Sequence, residues 1–273
     1  MSSPIRVLVV DDSAFTRKII SDMLNADPDI TVVDVARNGA IGVEKARSLK
    51  PDVITLDVEM PVMDGLEALK IIMREIPTPV VMLSALTQEG ADITLEALEI
   101  GAVEFVPKPS GSIVLSVDEI RDMLIKKVKL AAKARLRPQK ARYQSEKTVM
   151  NLSQLKTLGE SPPRRWEHGN AVVVIGTSTG GPSALSRVLP VLPADIPAGL
   201  LVVQHMPAGF TKSLAKRLNN ACQIEVKEAD EGDGIEKGKA LVAPGGYHMV
   251  VKANGKVRLS GAPPRNGVRP AID

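Results

Sequence analysis

The feature that most constrains the fold is an alternation of apolar runs and helical segments, repeated five times in the first half of the chain. Each run is short and rich in β-branched residues, the pattern of a strand buried on both faces of a parallel sheet. The five predicted strands are residues 5–10, 30–35, 52–56, 80–83 and 103–106. This alternation predicts a doubly wound, five-stranded parallel sheet with any site at the carboxyl ends of its strands.

The helical segments between these strands carry their own signals. Ser13 can cap the helix that follows the first strand. Phe15, Ile19 and Met23, with their neighbours Ile20 and Leu24, recur there at helical spacing as a core-facing stripe. We predict further helices over residues 42–49 and 93–100, the second stopped by a glycine.

Polar side chains follow four of the five predicted strands. They are Asp11 and Asp12 after the first strand, Asp57 after the third, Ser84 after the fourth and Lys108 after the fifth. Three clustered carboxylates repel one another unless a cation lies among them, and a hard, oxygen-liganded ion such as Mg²⁺ suits them. A lysine and a hydroxyl beside them suit a transferred phosphoryl group, because each can contact one of its oxygens.

These five residues, with Met60-Pro61 and Asp64-Gly65, make residues 4–126 resemble the receiver domain of a two-component response regulator. The resemblance implies that Asp57 accepts phosphate from a histidine kinase. It also implies that Asp12 and Asp57 ligate Mg²⁺, that Asp11 supports the ion through water, and that a backbone carbonyl near Glu59 completes the ligand set.

The same resemblance gives roles to residues on the last two strands. Ser84 and Lys108 would read the phosphate, and Phe105, three residues before the lysine, would be the switch aromatic. A phenylalanine has no hydroxyl, so its packing alone would carry that part of the signal. The resemblance also implies a cis peptide at Lys108-Pro109.

The middle of the chain predicts a helix followed by a linker. A capping box over residues 116–119 opens a helix with one apolar face. That face comprises Ile120, Met123, Leu124, Val128 and Ala131. Residues 126–147 carry nine basic side chains and one acidic side chain. A nucleic-acid patch would have several aromatic residues among the basic ones, but Tyr143 is the only aromatic residue in this segment. The composition therefore favours a solvated linker over a nucleic-acid patch. With Pro162-Pro163 marking the boundary, we expect domains at 1–126 and 169–273, joined by a helical extension and linker at 127–168.

The second half begins with a predicted strand over residues 172–175 that runs into a small-residue turn holding Ser178. A helix follows from Pro182, with Leu185, Val188, Leu189 and Leu192 expected on its core side. A further buried strand, residues 200–203, leads to His205. If the two strands are neighbours, the serine hydroxyl and the imidazole come within hydrogen-bond reach, as a base-activated nucleophile requires.

Four short β-like runs separated by glycine turns complete the chain. They are residues 224–227, 240–243, 247–251 and 257–259, and we expect them to form hairpins added to a Rossmann-like α/β sheet. The glycines at 176–181 do not have dinucleotide-binding spacing, and the strand-turn-helix pattern disfavours a DNA-binding domain.

The segments GTSTGG, QHMP-GFT and APGGYHM, arriving after a receiver domain, resemble the chemotaxis protein-glutamate methylesterase family over essentially the whole chain. The resemblance implies that Ser178 attacks glutamate methyl esters on chemoreceptors and that His205 acts as base and then acid. Thr179 and nearby backbone N–H groups would stabilise the oxyanion. Receptor glutamines would be deamidated by the same chemistry.

The sequence departs from the family pattern at its end. The triad acid of the family is expected beyond Asp273, which itself belongs to an earlier element, and Val268 replaces a histidine usual in the family. Loss of the acid costs on the order of 10⁴ in kcat in other serine hydrolases. We therefore expect a C-terminally truncated, weakly active fragment of a methylesterase.

Two functional hypotheses follow. In the first, the unphosphorylated receiver covers the Ser178–His205 cleft, and phosphorylation of Asp57 loosens it. In the second, the chain is a phosphoryl sink or binding module. The near balance of 35 basic and 32 acidic residues argues against a nucleic-acid partner, and the single Cys222 suits a reducing cytoplasm. We expect a cytoplasmic monomer, without membrane insertion, whose partners are a chemotaxis kinase and methyl-accepting receptors.

Overall fold

A computed structural model describes residues 3–85, 87–108, 117–134, 136 and 171–272, without the side chain of Gln88. The expected cis peptide at Lys108-Pro109, the start of the capping box, most of the predicted linker and Asp273 lie outside this part of the chain.

The first half forms the predicted parallel sheet, with strand order β2-β1-β3-β4-β5. The strands are β1 (Ile5–Val10), β2 (Ile30–Ala36), β3 (Val53–Asp57), β4 (Val80–Ser84) and β5 (Glu104–Pro107). The helices are α1 (Ala14–Asn25), α2 (Gly39–Leu49), α3 (Gly65–Glu75), α4 (Gln88–Ile100) and α5 (Val117–Ala131). The strand-helix alternation therefore predicted this architecture correctly.

Helices cover both faces of this sheet, which explains why its strands are continuously apolar. One core cluster joins α1 and α5 to one face, and another joins α2, α3 and α4 to the opposite face. The helix starts follow from local chemistry: Ser13 caps α1, and Asp64 with Glu67 forms a capping box at α3.

The predicted stripe on α1 was wrong at Phe15, which is 72% exposed. The buried residues of this helix are Ile20, Met23 and Leu24. At 100° per residue, Phe15 lies about 130° from the centre of that stripe, so it faces solvent.

The second half forms a four-stranded parallel sheet with strand order β6-β7-β9-β8. Its strands are β6 (Ala171–Thr177), β7 (Ala198–Gln204), β8 (Glu225–Glu228) and β9 (Lys239–Val242). Two further strands, β10 (His248–Val251) and β11 (Val257–Ser260), form a separate antiparallel pair. The helices are α6 (Gly181–Val188) and α7 (Phe210–Ala221), with a 3₁₀ turn at Leu189–Val191.

Three expectations for this half were wrong in detail. β8 and β9 pair in parallel, so the four runs do not all form hairpins, and the β10–β11 hairpin is not part of the larger sheet. Apolar runs identify strands but not their direction.

Val188 is exposed because α6 ends there and the 3₁₀ turn breaks the helical phase. Val172, Val173 and Val174 of β6, an edge strand of the described sheet, are exposed.

The two halves share one hydrophobic core. The cluster that contains Leu95 and Leu98 of α4 continues into Leu185 of α6 and Leu214 of α7. The Arg217 guanidinium of α7 forms an ion pair with Glu99 of α4. The receiver half therefore packs against the two helices that follow the Ser178 and His205 strands. In the described part of the chain, no helix combines the length and apolarity needed to span a bilayer.

Candidate active site and phosphoacceptor site

The carboxyl ends of β1 and β3 bring three acidic side chains together. Asp11 and Asp57 are buried and Asp12 is exposed, and each offers a carboxylate oxygen within 4.8 Å of the others. The amide of Glu59 donates to Asp57 Oδ1 at 3.3 Å. Two buried carboxylates and one open to solvent fit a hard cation that keeps part of its water shell, so the residues present suit Mg²⁺.

Lys108, directly after β5, lies against two of these carboxylates. Its Nζ is 2.6 Å from Asp57 Oδ2 and 3.3 Å from Asp11 Oδ2. Burial raises the pKa of Asp57 to about 6, although the hydrogen bond and positive charge of Lys108 oppose this shift. Burial would lower the pKa of Lys108, but its contacts with Asp57 and Asp11 outweigh burial and raise it. The cluster thus holds an excess of negative charge for which one lysine compensates in part.

The Ser84 hydroxyl is buried against the start of α4. It lies 3.2 Å from the carbonyl oxygen of Gly90 and 2.7 Å from Thr94 Oγ1. Thr94, which sequence reasoning did not single out, therefore occupies part of the hydrogen-bonding capacity of Ser84. Any new contact between Ser84 and a phosphoryl group would have to compete with these bonds.

Phe105 joins the first half to the second. Its ring is 3% exposed and stacks on Phe210 with a centroid separation of 4.7 Å and an interplanar angle of 3°. Lys127 Nζ lies 4.7 Å from the Phe105 ring centroid and 2.6 Å from Glu104 Oε2. The predicted switch aromatic is thus packed against the first residue of α7, the helix that follows His205.

Ser178 and His205 lie side by side because their strands are neighbours. The parallel register of β6 and β7 pairs Thr177 with Gln204, so the next residue of each strand is Ser178 or His205. Ser178 Oγ is 3.2 Å from His205 Nδ1. Thr179 follows in an exposed turn that leads into α6. The structure thus brings together the three residues that the sequence predicted for this site.

The environment of His205 favours a neutral imidazole. Burial lowers its pKa, and the positive charge of Lys126 on α5 lowers it further. Its Nε2 is buried and has no hydrogen-bond partner within the described residues. With Nδ1 facing the hydroxyl of Ser178, the remaining nitrogen is where an orienting acceptor would act.

Comparison with known proteins shows the family to which each half of the chain is similar. The family model of the CheB methylesterase matches residues 173–273, and that of the response regulator receiver domain matches residues 7–118. A protein-glutamate methylesterase/protein-glutamine glutaminase of Symbiobacterium thermophilum is 52% identical over 99% of this chain and 75% of its own length. The chain belongs to the protein-glutamate methylesterase family.

Other members of the methylesterase family are similar over the same span. The relative of the same name from Halalkalibacterium halodurans is 50% identical over 100% of this chain and 76% of its own length. The relative from Pyrococcus horikoshii is 49% identical over 100% of this chain and 73% of its own length.

Several other residues that the sequence drew attention to have structural contacts. His248 lies in β10, where its Nε2 is 3.1 Å from the carbonyl oxygen of Pro263 and its Nδ1 accepts the amide of Ala271 at 3.3 Å. Val268 closes a tight turn through backbone hydrogen bonds with Arg265. Cys222 is half-buried, and burial raises the pKa of its thiol. The contacts of His248 and Val268 hold the chain after β9 in place, whereas Cys222 lies directly after α7.

Sequence reasoning missed Gln204, the last residue of β7, which directly precedes His205. Its side chain is 1% exposed and hydrogen-bonds to the Ser178 turn and to His205. Its position at the last residue of a buried strand, directly before the histidine, was the only signal available.

Proposed function

We propose that this chain hydrolyses the methyl esters of glutamate side chains on chemoreceptors and deamidates receptor glutamines. The observation that carries the proposal is the 3.2 Å contact between Ser178 Oγ and His205 Nδ1 at the ends of two paired strands. The names of the relatives, which cover nearly the whole of this chain, support the same substrate class.

In the proposed reaction, Ser178 Oγ forms a bond to the ester carbonyl carbon while its proton passes to His205 Nδ1. The tetrahedral intermediate collapses, the C–O bond to the methoxy group breaks, and the imidazolium returns the proton so that methanol leaves. Water then attacks the acyl-enzyme with His205 as base, releasing glutamate and free Ser178. A glutamine side chain follows the same path and loses ammonia.

The charge on oxygen in both intermediates needs donors that are already in place. We assign this role to the exposed turn at Thr179, whose backbone N–H adjoins the nucleophile. An acceptor at His205 Nε2 would hold the ring and stabilise its charged form. We expect that acceptor to be the carboxylate of the family triad.

We further propose that Asp57 is phosphorylated by a chemotaxis histidine kinase. Asp12 and Asp57 would hold Mg²⁺, with Asp11 acting through water and with the carbonyl of Glu59. The ion would supply positive charge to the transferring phosphoryl group. Lys108, already 2.6 Å from Asp57, would meet a second phosphoryl oxygen.

Ser84 would meet a third phosphoryl oxygen once it leaves Gly90, and Phe105 would respond by repacking. We divide the chain accordingly into a receiver at 1–126, a connector at 127–168 and a hydrolase domain at 169–273. The protein would act as a monomer in the cytoplasm, where the kinase and the signalling ends of the receptors meet.

The contacts between the halves support inhibition by the unphosphorylated receiver. The Phe105–Phe210 stack and the Glu99–Arg217 ion pair hold α4 and β5 against α7. Because α7 begins five residues after His205, movement of the receiver would change access to the Ser178 cleft.

The test is release of methanol from methylated receptors, with and without a small-molecule phosphodonor. Ser178→Ala should reduce hydrolysis by at least about 10⁴-fold, as removal of the nucleophile does in other serine hydrolases. Ser186→Ala, on the following helix, is the matched control and should retain hydrolysis. Asp57→Asn should abolish phosphate incorporation and the response of hydrolysis to the phosphodonor.

The same experiment separates the alternative of a phosphoryl sink. Normal phosphorylation of Asp57, together with no methanol release beyond that of Ser178→Ala, would favour the sink and reject the hydrolase.

A further inference from the structure

The side chain of Gln204 is placed where it contacts both peptides that carry the proposed catalytic pair. Its Nε2 donates to the carbonyl oxygen of Ser178 at 3.1 Å and to that of His205 at 3.3 Å. Its Oε1 accepts from Thr177 Oγ1 at 2.7 Å. Buried at the end of β7, the amide therefore spans the gap between the two strand ends.

Only a primary amide fits these three partners. The two backbone carbonyls need two donor hydrogens, and the NH2 group of the amide supplies both. The Thr177 hydroxyl donates its hydrogen and therefore needs an acceptor, which is Oε1. A carboxylate would set an oxygen against two carbonyl oxygens, and an aliphatic side chain would leave both carbonyls without this donor. The three contacts together therefore select glutamine at this position.

The start of α6 is shaped around the same amide. A Cβ on Gly181 would lie 1.9 Å from Gln204 Oε1 and 2.7 Å from the Cβ of Thr177. The amide of Gly181 also donates to the carbonyl oxygen of Ser178 at 2.8 Å. The Ser178 carbonyl thus accepts two hydrogen bonds, one from the helix start and one from Gln204, and its direction is fixed.

Fixing that carbonyl also fixes the next N–H. In a trans peptide the C=O and N–H of one unit point in opposite directions. The N–H of Thr179 therefore points away from Gln204, and it donates to no acceptor among the described residues. A free, oriented N–H beside a nucleophile is what a developing oxyanion requires.

We propose that Gln204 is a positioning residue for hydrolysis. It locks the Ser178 and His205 peptides together, which sets the separation of Oγ and Nδ1, and it turns the Thr179 N–H outward as an oxyanion donor. This inference rests on the proposed function, because it takes Ser178 as the nucleophile and His205 as the base.

The test compares Gln204→Glu, which is nearly isosteric, with Gln204→Met, which keeps length but has no donor. Both should lower kcat for receptor demethylation by about 10²- to 10³-fold, the range for loss of an oxyanion donor. KM should change less than threefold, because Gln204 is buried and does not reach the surface. Thr177→Val keeps both bonds from Nε2 and should cost less than tenfold.

Asn219→Asp is the matched amide-to-acid control in the same domain. Its Oδ1 accepts the amide of Val226, a role that a carboxylate retains, so its kcat should equal that of the parent protein. A fluorophosphonate ester, which labels reactive serines, reports the reactivity of Ser178 in each variant. A urea unfolding curve reports how much of each variant is folded. Together the two measurements distinguish a positioning effect from a loss of folded protein. Slow labelling by folded Gln204 variants is the expected result.

Two outcomes would overturn the inference. One is a kcat within threefold of the parent protein for both Gln204 variants. The other is a loss of activity that matches the unfolded fraction, with normal labelling per folded molecule. Failure of the proposed function looks different, since the parent protein itself would then release no more methanol than Ser178→Ala.

Discussion

The Asp57 site and the Ser178 site use the same topology for opposite electrostatic purposes. Both lie at the carboxyl ends of parallel strands, and both are followed by a helix that begins with glycine. At Asp57 the groups are charged, buried and paired with Lys108. At Ser178 they are neutral, more open and held by the amide of Gln204. The Asp57 site, which would receive a charged phosphoryl group, has permanently charged side chains. The Ser178 site, where charge would develop only during the reaction, has oriented dipoles instead.

Substitution of Gly65 and Gly181, the first residues of α3 and α6, gives the strongest test of the difference between the two sites. A Cβ on Gly65 would lie 2.0 Å from the backbone oxygen of Asp57, which cannot move without distorting β3. Gly65→Ala should therefore destabilise the protein by about 3 kcal/mol, measured by urea unfolding. Gly181→Ala meets the Gln204 amide and the Cβ of Thr177, which are side-chain and not backbone atoms, so it should cost less, about 2 kcal/mol, while lowering kcat at least tenfold. Equal stability losses, or an active Gly181→Ala, would contradict this assignment.

The stack between the halves gives the next largest effect. Aromatic pairs contribute about 0.5–1.5 kcal/mol beyond their buried area. If that energy favours the closed receiver, Phe105→Leu should raise basal hydrolysis about threefold to tenfold without phosphodonor. Phe105→Tyr, which retains the ring, is the comparison. A double-mutant cycle with Phe210→Leu should show non-additive activation, and additive effects would argue against a direct contact.

The pH dependence of hydrolysis tests whether a charge on the first half of the chain affects the pKa of His205. Lys126 lowers the pKa of His205, after the larger effect of burial. Lys126→Gln should raise that pKa, because the substitution removes a positive charge that disfavours the imidazolium. Because the base must be neutral, the acid limb of kcat/KM should move to higher pH. Lys133→Gln, farther along the chain, should leave the limb unchanged, and a shift to lower pH in Lys126→Gln would refute the sign.

The smallest effect is expected at the Glu99–Arg217 ion pair. Both side chains are partly exposed, and such pairs contribute about 0–1 kcal/mol. Glu99→Gln should raise basal hydrolysis less than fivefold, and the effect should disappear in high salt. Glu89→Gln, in the first turn of the same helix, is the matched control. A salt-independent activation would indicate that packing, and not charge, had changed.

The sequence predicted the Asp57 site better than the Ser178 site. Asp11, Asp57 and Lys108 follow strands whose carboxyl ends must meet in a parallel sheet, so local pattern and topology sufficed. Ser178 and His205 could be paired by the same rule. Gln204 could not, because its role depends on where three backbone and side-chain partners lie after folding.

What the sequence did not predict elsewhere depends on contacts between distant parts of the chain. Strand runs near 224–227 and 240–243 were visible, but their parallel pairing depends on the path of the chain between them. The contact of Phe105 with Phe210 joins residues from different halves, and no periodicity within either half contains it.

The shared core between the halves has a thermal consequence. Separating Phe105, Leu95 and Leu98 from the second half would expose hydrocarbon to water. The free-energy cost of that exposure falls on cooling, because apolar hydration has a large positive heat capacity. If the receiver restrains the hydrolase as proposed, cooling should therefore weaken that restraint, and basal hydrolysis should rise relative to the hydrolysis measured with a phosphodonor.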